Sequence, residues 1–216
     1  MIARATRRVA FAGAVLILAL ANFAGAPAVA DPQKDGAQQF VRELADKAIV
    51  SLTRREMTQI EREAAFRKLL VAHFDVPAIG KLALGRYWRV ASKQEQEEYL
   101  AIFEDFIVTT YSNRFREYTN EHLEIGDVAE MPDEDSGRVV HSQIVRDQPK
   151  PIRVDWRLAS SGGGYRIVDV TVEGVSMMQT QRSEFSSVIV KNGGKVAALI
   201  TELKLKNRSL RAQVNQ

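Results

Sequence analysis

The fold class is indicated most clearly by the stretch IRVDWRLASSGGGYRIVDVTV, residues 152–172. Its first seven residues alternate strictly between apolar and charged side chains, as in a strand with one buried face. The run SSGGG, residues 160–164, is typical of a hairpin turn. From Tyr165 to Val172 apolar residues occur on both faces, which indicates a central strand. The stretch therefore predicts two antiparallel strands joined by a tight turn.

Two further strands are predicted before this hairpin. Leu123, Ile125 and Val128 begin the first, where the helical periodicity ends. The polar run PDEDSG, residues 132–137, predicts a turn, and the next segment, residues 139–145, is rich in β-branched side chains. Because short turns connect all of these strands in series, an antiparallel meander of about four strands is the simplest topology.

Helical patterns lie on both sides of the predicted sheet. Before it, apolar residues recur at helical spacing, and Ser92 with Glu95 forms a capping box that opens the longest helix, residues 93–118. After Gly174 the helical pattern returns, is interrupted at Gly193-Gly194, and ends with a last helix from Val196 to Leu205. This order predicts an α+β fold: a curved antiparallel sheet covered on one face by N-terminal and C-terminal helices.

The first thirty residues have the pattern of a cleaved signal peptide. Arg4, Arg7 and Arg8 precede an apolar run over residues 9–24, and Ala28-Val29-Ala30 forms a cleavage motif. The apolar run is short for a transmembrane helix, which needs ~20 residues. Thr6-Arg7-Arg8 leaves export by the Sec or the twin-arginine route open. We expect a signal peptide over 1–30, one α+β domain over 31–206 and a polar tail over 207–216.

Composition narrows the function classes further. The absence of Cys excludes disulfides, zinc–thiolate sites and a cysteine nucleophile, and together with an export signal it indicates the bacterial periplasm. Removing three arginines with the signal peptide lowers the 30 Lys and Arg to 27, equal to the 27 Asp and Glu. This neutral balance does not favour a nucleic-acid partner. No metal, cofactor or catalytic motif is evident.

An enzymatic alternative rests on Asp169 and Tyr111. Asp169 interrupts an apolar strand, and a buried carboxylate costs free energy unless it is paired. A structural pair with an arginine, for example Arg182, is one interpretation; an acid or base in a cone-shaped cavity is the other.

Several stretches resemble the MlaC family, also called the toluene-tolerance family. The densest is YRIVDVTVEGVS, residues 165–176, followed by Arg182 and Phe185. Tyr165 stands near a point where the family usually has Trp. The other stretches are 74–75, 84–89, 103–106, 110–111 and 154–158.

The resemblance implies a periplasmic phospholipid carrier without catalytic residues or metal. Such proteins move phospholipid between an inner-membrane ABC transporter complex and an outer-membrane lipoprotein complex, with only transient membrane contact. A related branch is associated with hopanoids, so a hopanoid-type ligand stays open. A structural adaptor without any ligand is a third class.

A carrier must replace the bilayer around the acyl chains, since each methylene exposed to water costs about 0.8 kcal/mol. We expect an apolar sheet face opposite an apolar helix face, with an end wall and an incomplete core between them. The alternative is that the same residues fill a solid core. The residue pattern alone favours the solid core, whereas the family resemblance favours the cavity. The residues predicted to contact lipid are Leu82, Leu84, Trp88, Phe103, Ile107, Tyr111, Val154, Trp156, Val168, Val170 and Val172.

Basic residues are predicted near the mouth of such a cavity. They are Lys81, Arg86, Arg89 and Arg114. They would meet lipid phosphate or an acidic partner surface, or else form a solvated helix face.

Overall fold

The computed structural model describes residues 32–117, 121–131, 137–147 and 150–214, and within them it contains six α-helices, two 3-10 helices and five strands. The α-helices are α1 (Pro32–Leu52), α2 (Gln59–His73), α3 (Val76–Leu84), α4 (Lys93–Tyr111), α5 (Met177–Lys191) and α6 (Val196–Val214). The 3-10 helices are Gly85–Arg89 and Ser112–Glu117. The strands are β1 (His122–Glu130), β2 (Arg138–Val145), β3 (Ile152–Ser161), β4 (Gly164–Val172) and β5 (Val175–Ser176). The predicted signal peptide lies outside the described residues.

The strands form one antiparallel sheet in the order β1-β2-β3-β4-β5. The predicted α+β class and meander are confirmed, and the short strand β5 adds a fifth strand to the expected four. Directly paired residues share a face of the sheet. Trp156 is paired with Val140 on one side and Val170 on the other, so these three lie on the face toward the helices.

The predicted hairpin joins β3 to β4 through Gly162 and Gly163. Their φ angles are 56° and 85°. Both values lie in the left-handed region that a two-residue hairpin turn requires and that side chains with a Cβ rarely adopt. The glycines of residues 162–163 therefore set the register in which Ser161 pairs with Gly164.

A β-bulge at Val168 changes which β4 residues face the helices. Arg157 is paired with Asp169, but Leu158 is paired with Ile167, so Val168 has no partner in this register. The extra residue breaks the alternation, and Ile167 and Val170 share one face although they are three residues apart.

Capping side chains define two of the helix starts. Ser92 accepts a hydrogen bond from the backbone N–H of Glu95 while the Glu95 carboxylate accepts one from the backbone N–H of Ser92, which confirms the predicted capping box. Thr58 and Glu61 form a second capping box at the start of α2. Such a pair satisfies two backbone N–H groups that a helix end otherwise leaves open.

The buried side chains form two separate cores. The helical core lies among α2–α6 and centres on aromatic rings, with Tyr99 and Phe103 stacked at 5.6 Å between ring centroids and Phe185 edge-on to both. The Tyr99 hydroxyl donates to the Gly80 carbonyl at 2.9 Å, and burial raises the pKa of this phenol. The sheet core lies between α1 and the sheet; its buried residues are Ala37, Val41, Leu44, Val140, Leu158 and Ile167.

The C-terminal segment is a continuation of α6. We predicted a polar tail from residue 207, but α6 extends to Val214. Asn207 is buried and donates to the Asp105 carboxylate at 3.2 Å, and Arg211 forms ion pairs with Glu63 and Asp105 at 3.0 and 2.6 Å. These contacts hold the end of α6 against α2 and α4.

Candidate functional site

An apolar cavity of about 450 Å³ lies between α1, α2 and the end of the sheet. Its volume falls within the ~300–1,000 Å³ usual for ligand pockets. We call it the α1–sheet cavity. Its lining residues are Leu44, Ala45, Ala48, Ile49, Leu52, Phe66, Leu69, Leu70, Phe74, Arg114, Phe115, Glu121, His122, Leu123, Ile144, Arg146, Ile152 and Trp156.

The cavity exists because the two halves of α1 make different contacts with the sheet. In its N-terminal half, Ala37 and Val41 are fully buried against the sheet. In its C-terminal half, Ala45, Ala48 and Ile49 line the cavity instead. Two alanines on the inner side of a helix fill little of the space before the sheet, so the core stays incomplete there.

The sheet wall of the cavity comes from adjacent strands. Leu123 is paired with Ile144 and Ile144 with Ile152, so these three side chains form an apolar row across β1, β2 and β3. Trp156 is held beside this row, since its indole N–H donates to the Ser142 hydroxyl at 2.9 Å. Ser142 in turn donates to the Val154 carbonyl at 2.7 Å, which satisfies both buried polar groups.

Polar and charged side chains lie at one end of this apolar lining. Arg114, His122 and Arg146 are exposed, while Glu121 is half-buried. The Arg114 guanidinium lies 5.5 Å from the centroid of the Tyr111 ring, at a distance typical of a cation–π contact. An apolar pocket with a charged rim suits a ligand with an apolar body and a polar or ionic end.

The structure does not bring the eleven residues predicted for lipid contact together on one surface. Trp156 lines the α1–sheet cavity. Val170 packs against the sheet core, Val168 falls in the β-bulge, and Val172 is paired with the buried Val154. The residues on α3, α4 and the first 3-10 helix lie elsewhere.

Those helical residues belong mainly to the helical core. Leu84 and Phe103 are buried in it, Trp88 and Ile107 pack against it, and Leu82 is 46% exposed. Tyr111 is half-buried at the end of α4, where burial raises the pKa of its hydroxyl. Of the predicted basic residues at the mouth, Arg114 lines the cavity, whereas the lining does not include Lys81, Arg86 or Arg89.

The missed lining residues include Phe115 of the second 3-10 helix and Leu123, Ile144 and Ile152 of the strands, but the largest group comes from α1 and α2. The sequence shows their apolar residues at helical spacing, which is equally typical of a solid core. The available signal was the size of the side chains. Ala45 and Ala48 lie one turn apart on the face that continues from Val41 and Leu44, and small residues there leave room between helix and sheet.

Asp169 has a structural role at the start of α5. Its carboxylate accepts the Ser176 hydroxyl at 2.5 Å and the backbone N–H groups of Val170 and Met178 at 2.8 and 3.1 Å. Its hydrogen-bond partners thus differ from the expected Arg182. A buried carboxylate that accepts several hydrogen bonds at a helix N-terminus is already satisfied without any chemistry.

Two further features of the described residues bear on other classes of function. Within residues 32–117, 121–131, 137–147 and 150–214, no group of three His, Asp or Glu side chains is placed to hold a metal ion. In the same part of the chain, no helix is both long and apolar enough to cross a bilayer.

Fold and cavity together define an α+β protein in which helices and one antiparallel sheet enclose an apolar pocket. A family model described as MlaC protein matches residues 42–205, which include most of both cores and the cavity lining. The chain belongs to the MlaC family.

The known proteins that are similar to the chain include the following two. One is the intermembrane phospholipid transport system binding protein MlaC of Haemophilus influenzae, 22% identical over 172 residues that cover 76% of this chain and 79% of that protein. The other is the solved structure of a phospholipid-binding protein from Ralstonia solanacearum in complex with a phospholipid. Its TM-score is 0.72 at 22% identity, over 81% of this chain and 98% of that one, which shows a shared fold.

Proposed function

We propose that this protein carries a phospholipid through the bacterial periplasm, with the acyl chains in the α1–sheet cavity. The observation that carries the proposal is an apolar pocket of about 450 Å³ in a member of the MlaC family. The relative from Haemophilus influenzae is named as a phospholipid transport binding protein, and the Ralstonia solanacearum structure contains a phospholipid.

The physical task of such a carrier is to keep hydrocarbon away from water. A two-chain lipid has on the order of thirty methylenes, and each gains about 0.8 kcal/mol from leaving water. Leucine, isoleucine, phenylalanine and tryptophan side chains in the α1–sheet cavity offer the replacement for the bilayer interior. The proposed role needs no catalytic group, and Asp169, the strongest candidate for one, is fully engaged by hydrogen bonds.

The polar end of the lipid would lie at the charged rim. Arg114 and Arg146 line the cavity, are exposed, and form no ion pair with any residue that the structure describes. A guanidinium group matches a phosphate in charge and in hydrogen-bond geometry.

The proposal includes the route of transport. After removal of residues 1–30 as a signal peptide, the carrier would exchange lipid with an inner-membrane ABC transporter complex and an outer-membrane lipoprotein complex. A hopanoid-type lipid is the second candidate ligand, because an apolar pocket by itself does not distinguish a fused-ring hydrocarbon from acyl chains.

The direct test is to identify what the protein carries. The protein is exported in a bacterium, purified without detergent, and analysed by native mass spectrometry and by organic extraction with lipid mass spectrometry. We expect a phospholipid mass on the protein and the same lipid in the extract. The protein mass alone with an empty extract would refute the carrier, and a triterpenoid in place of phospholipid would identify a hopanoid carrier.

A matched pair of variants locates the lipid. Ala48→Trp places an indole in the α1–sheet cavity, and we expect the lipid bound per protein to fall several-fold. Ala64→Trp makes the same change at an exposed position of α2 and should leave the lipid content unchanged. Circular dichroism confirms that both variants are folded. Equal lipid content in the two folded variants would place the ligand outside this cavity.

A further inference from the structure

We infer that the exposed side of α3, the 3-10 helix Gly85–Arg89 and α5 is a docking surface for an acidic segment of a partner protein. Five basic residues define this surface, which we call the basic face. They are Lys81, Arg86, Arg89, Arg182 and Lys191. The proposal deepens the carrier function and rests on it in one respect: a carrier must dock on the proteins that load and unload it.

The charge of the basic face is local. Its three elements contain five Lys and Arg but a single acidic residue, Glu184, whereas the chain after residue 30 has 27 of each sign. All five basic side chains are exposed. An oriented patch on a neutral molecule attracts an acidic partner to one face only, which fixes the orientation of the complex.

The two central arginines are held in place by the protein. A guanidinium nitrogen of Arg182 lies 2.9 Å from where a Cβ on Gly85 would be, so it rests directly on a backbone that has φ +60°. Arg86 donates to the Tyr87 hydroxyl at 2.9 Å, and its guanidinium carbon lies 5.0 Å from the centroid of the Tyr87 ring. Both arginines therefore lie where the 3-10 helix meets α5.

The basic residues of this face have no acidic partner among the described residues. None of them forms an ion pair with another residue in the part of the chain that the structure describes. By contrast, Arg67 and Arg211 are engaged by carboxylates of neighbouring helices. Guanidinium groups that are positioned but unpaired have little ordering entropy left to lose when a carboxylate binds.

The shape and composition of the surface favour a protein over a membrane. Polar side chains of α5, among them Ser183, Ser186 and Ser187, line an open groove together with Arg182 and Lys191. Hydroxyl groups in a groove suit a peptide with defined hydrogen-bonding positions.

The exposed apolar residues of the basic face also favour a protein partner over a membrane. Leu82 and Val190 are 46% and 58% exposed, and the large exposed apolar residues among the described side chains are all aliphatic. Membrane-binding faces typically insert Trp or Phe, whereas here Phe185 is buried and Trp88 is half-buried against the helical core.

The test uses the lipid-loaded protein and a fluorescein-labelled synthetic peptide of glutamate, aspartate and serine. We expect Arg86→Glu/Arg182→Glu to weaken peptide binding by roughly tenfold, measured by fluorescence anisotropy. Arg42→Glu/Arg208→Glu makes the same change in charge at exposed positions of α1 and α6, and binding should be kept. Equal weakening in both variants, or none in the first, would overturn the proposal.

A second pair and a second probe complete the experiment. Arg89→Glu/Lys191→Glu changes two other exposed basic side chains of this face, and it should also weaken peptide binding. This pair provides the result if the first variant fails to fold. Vesicles of phosphatidylglycerol and phosphatidylcholine should not bind through these residues, and arginine-dependent vesicle binding in place of peptide binding would overturn the protein partner. Organic extraction of the charge variants distinguishes a failure of the docking surface from a failure of the proposed function. The charge variants should keep their lipid whether or not they bind the peptide.

Discussion

In this protein single polar residues connect the ends of neighbouring helices and strands. Asp169 is the clearest example. It is 7% exposed, and its carboxylate joins β4 to the first turn of α5 through the Ser176 hydroxyl and two backbone N–H groups. A charged acceptor that receives three hydrogen bonds contributes more to stability than a neutral acceptor. An amide of the same shape as this carboxylate cannot accept all three hydrogen bonds.

We therefore expect Asp169→Asn to destabilise the protein by about 1–3 kcal/mol, because the amide NH2 group cannot accept the hydrogen bond from the Ser176 hydroxyl and the charge on the remaining acceptor is lost. Urea unfolding followed by circular dichroism measures the change. Asp127→Asn, at an exposed position of β1, serves as the control and should change the free energy of unfolding little. Equal stability of the Asp169 variant and the native protein would show that the carboxylate does not hold α5.

The hairpin is also decided by single residues. Gly163 has φ 85°, whereas Gly164 has an ordinary φ and a Cβ added to it would meet the Ser161 carbonyl at 3.9 Å. We expect Gly163→Ala to cost about 1–2 kcal/mol of unfolding free energy, since a Cβ is strained in the left-handed region. Gly164→Ala should cost clearly less in the same urea titration. Similar costs at both positions would contradict a conformational requirement at Gly163.

At the scale of elements, an ion-pair network joins three helices that are distant in sequence. Asp105 of α4 accepts hydrogen bonds from Arg67 of α2 and from Asn207 and Arg211 of α6. Burial by itself raises the pKa of Asp105, but the hydrogen bonds and charges of Arg211 and Arg67 outweigh it and hold the pKa below its usual 3.8. The ionised carboxylate is thus stabilised in the folded state.

This gives a pH dependence with a defined sign. A carboxyl whose pKa is lower in the folded than in the unfolded state stabilises the fold above the unfolded pKa. That contribution is lost as the pH falls from about 4 through the lowered value. We expect Asp105→Asn to be less stable than the native protein at pH 7 and to show a shallower loss of stability below pH 4. Urea midpoints across this range test it, with Asp46→Asn on α1 as the exposed control.

The sequence was sufficient for elements that depend on local chemistry. The capping box at Ser92, the glycine hairpin and the alternation in β3 are encoded within a few residues, and all three are found where predicted. The bulge at Val168 was not predictable in this way, because it depends on which residues of β3 are opposite. The course of α6 beyond residue 206 likewise depends on carboxylates of α2 and α4, about 100 to 150 positions away.

The cavity lining was mostly missed for a related reason. Helical spacing tells which side of α1 or α2 is buried but not whether that side meets a packed or an open interior. Trp156 was found because the strand pattern places it on the inner face, whereas Ala48 and Phe66 line the cavity only because of how α1 and α2 lie over the sheet. Such distances between elements are tertiary properties.

At the scale of the whole molecule, both cores border the α1–sheet cavity, the sheet core at Leu44 and the helical core at Leu70. The aromatic centre of the helical core, Tyr99, Phe103 and Phe185, does not line the cavity. The sheet core is continuous with the α1–sheet cavity through Leu44, which belongs to both. A lipid in the cavity would complete the sheet core.

We accordingly expect removal of the lipid to lower the unfolding temperature by several degrees, since a ligand that binds only the folded state stabilises it. Differential scanning calorimetry of native and solvent-extracted protein measures the shift. The folded Ala48→Trp variant, which binds less lipid, should show a much smaller shift. An unchanged unfolding temperature after complete extraction would argue that the ligand contributes nothing to the sheet core.

The N-terminal half of α1 packs against the sheet and its C-terminal half lines the cavity. The helix thus separates along its length two roles, packing and ligand contact, that most core helices combine. Substitutions near Val41 would destabilise the fold, whereas those near Ala48 would change only the size and shape of the ligand that fits in the cavity. Cargo preference can thus drift during evolution through a few side chains of one turn, without risk to the scaffold that bears them.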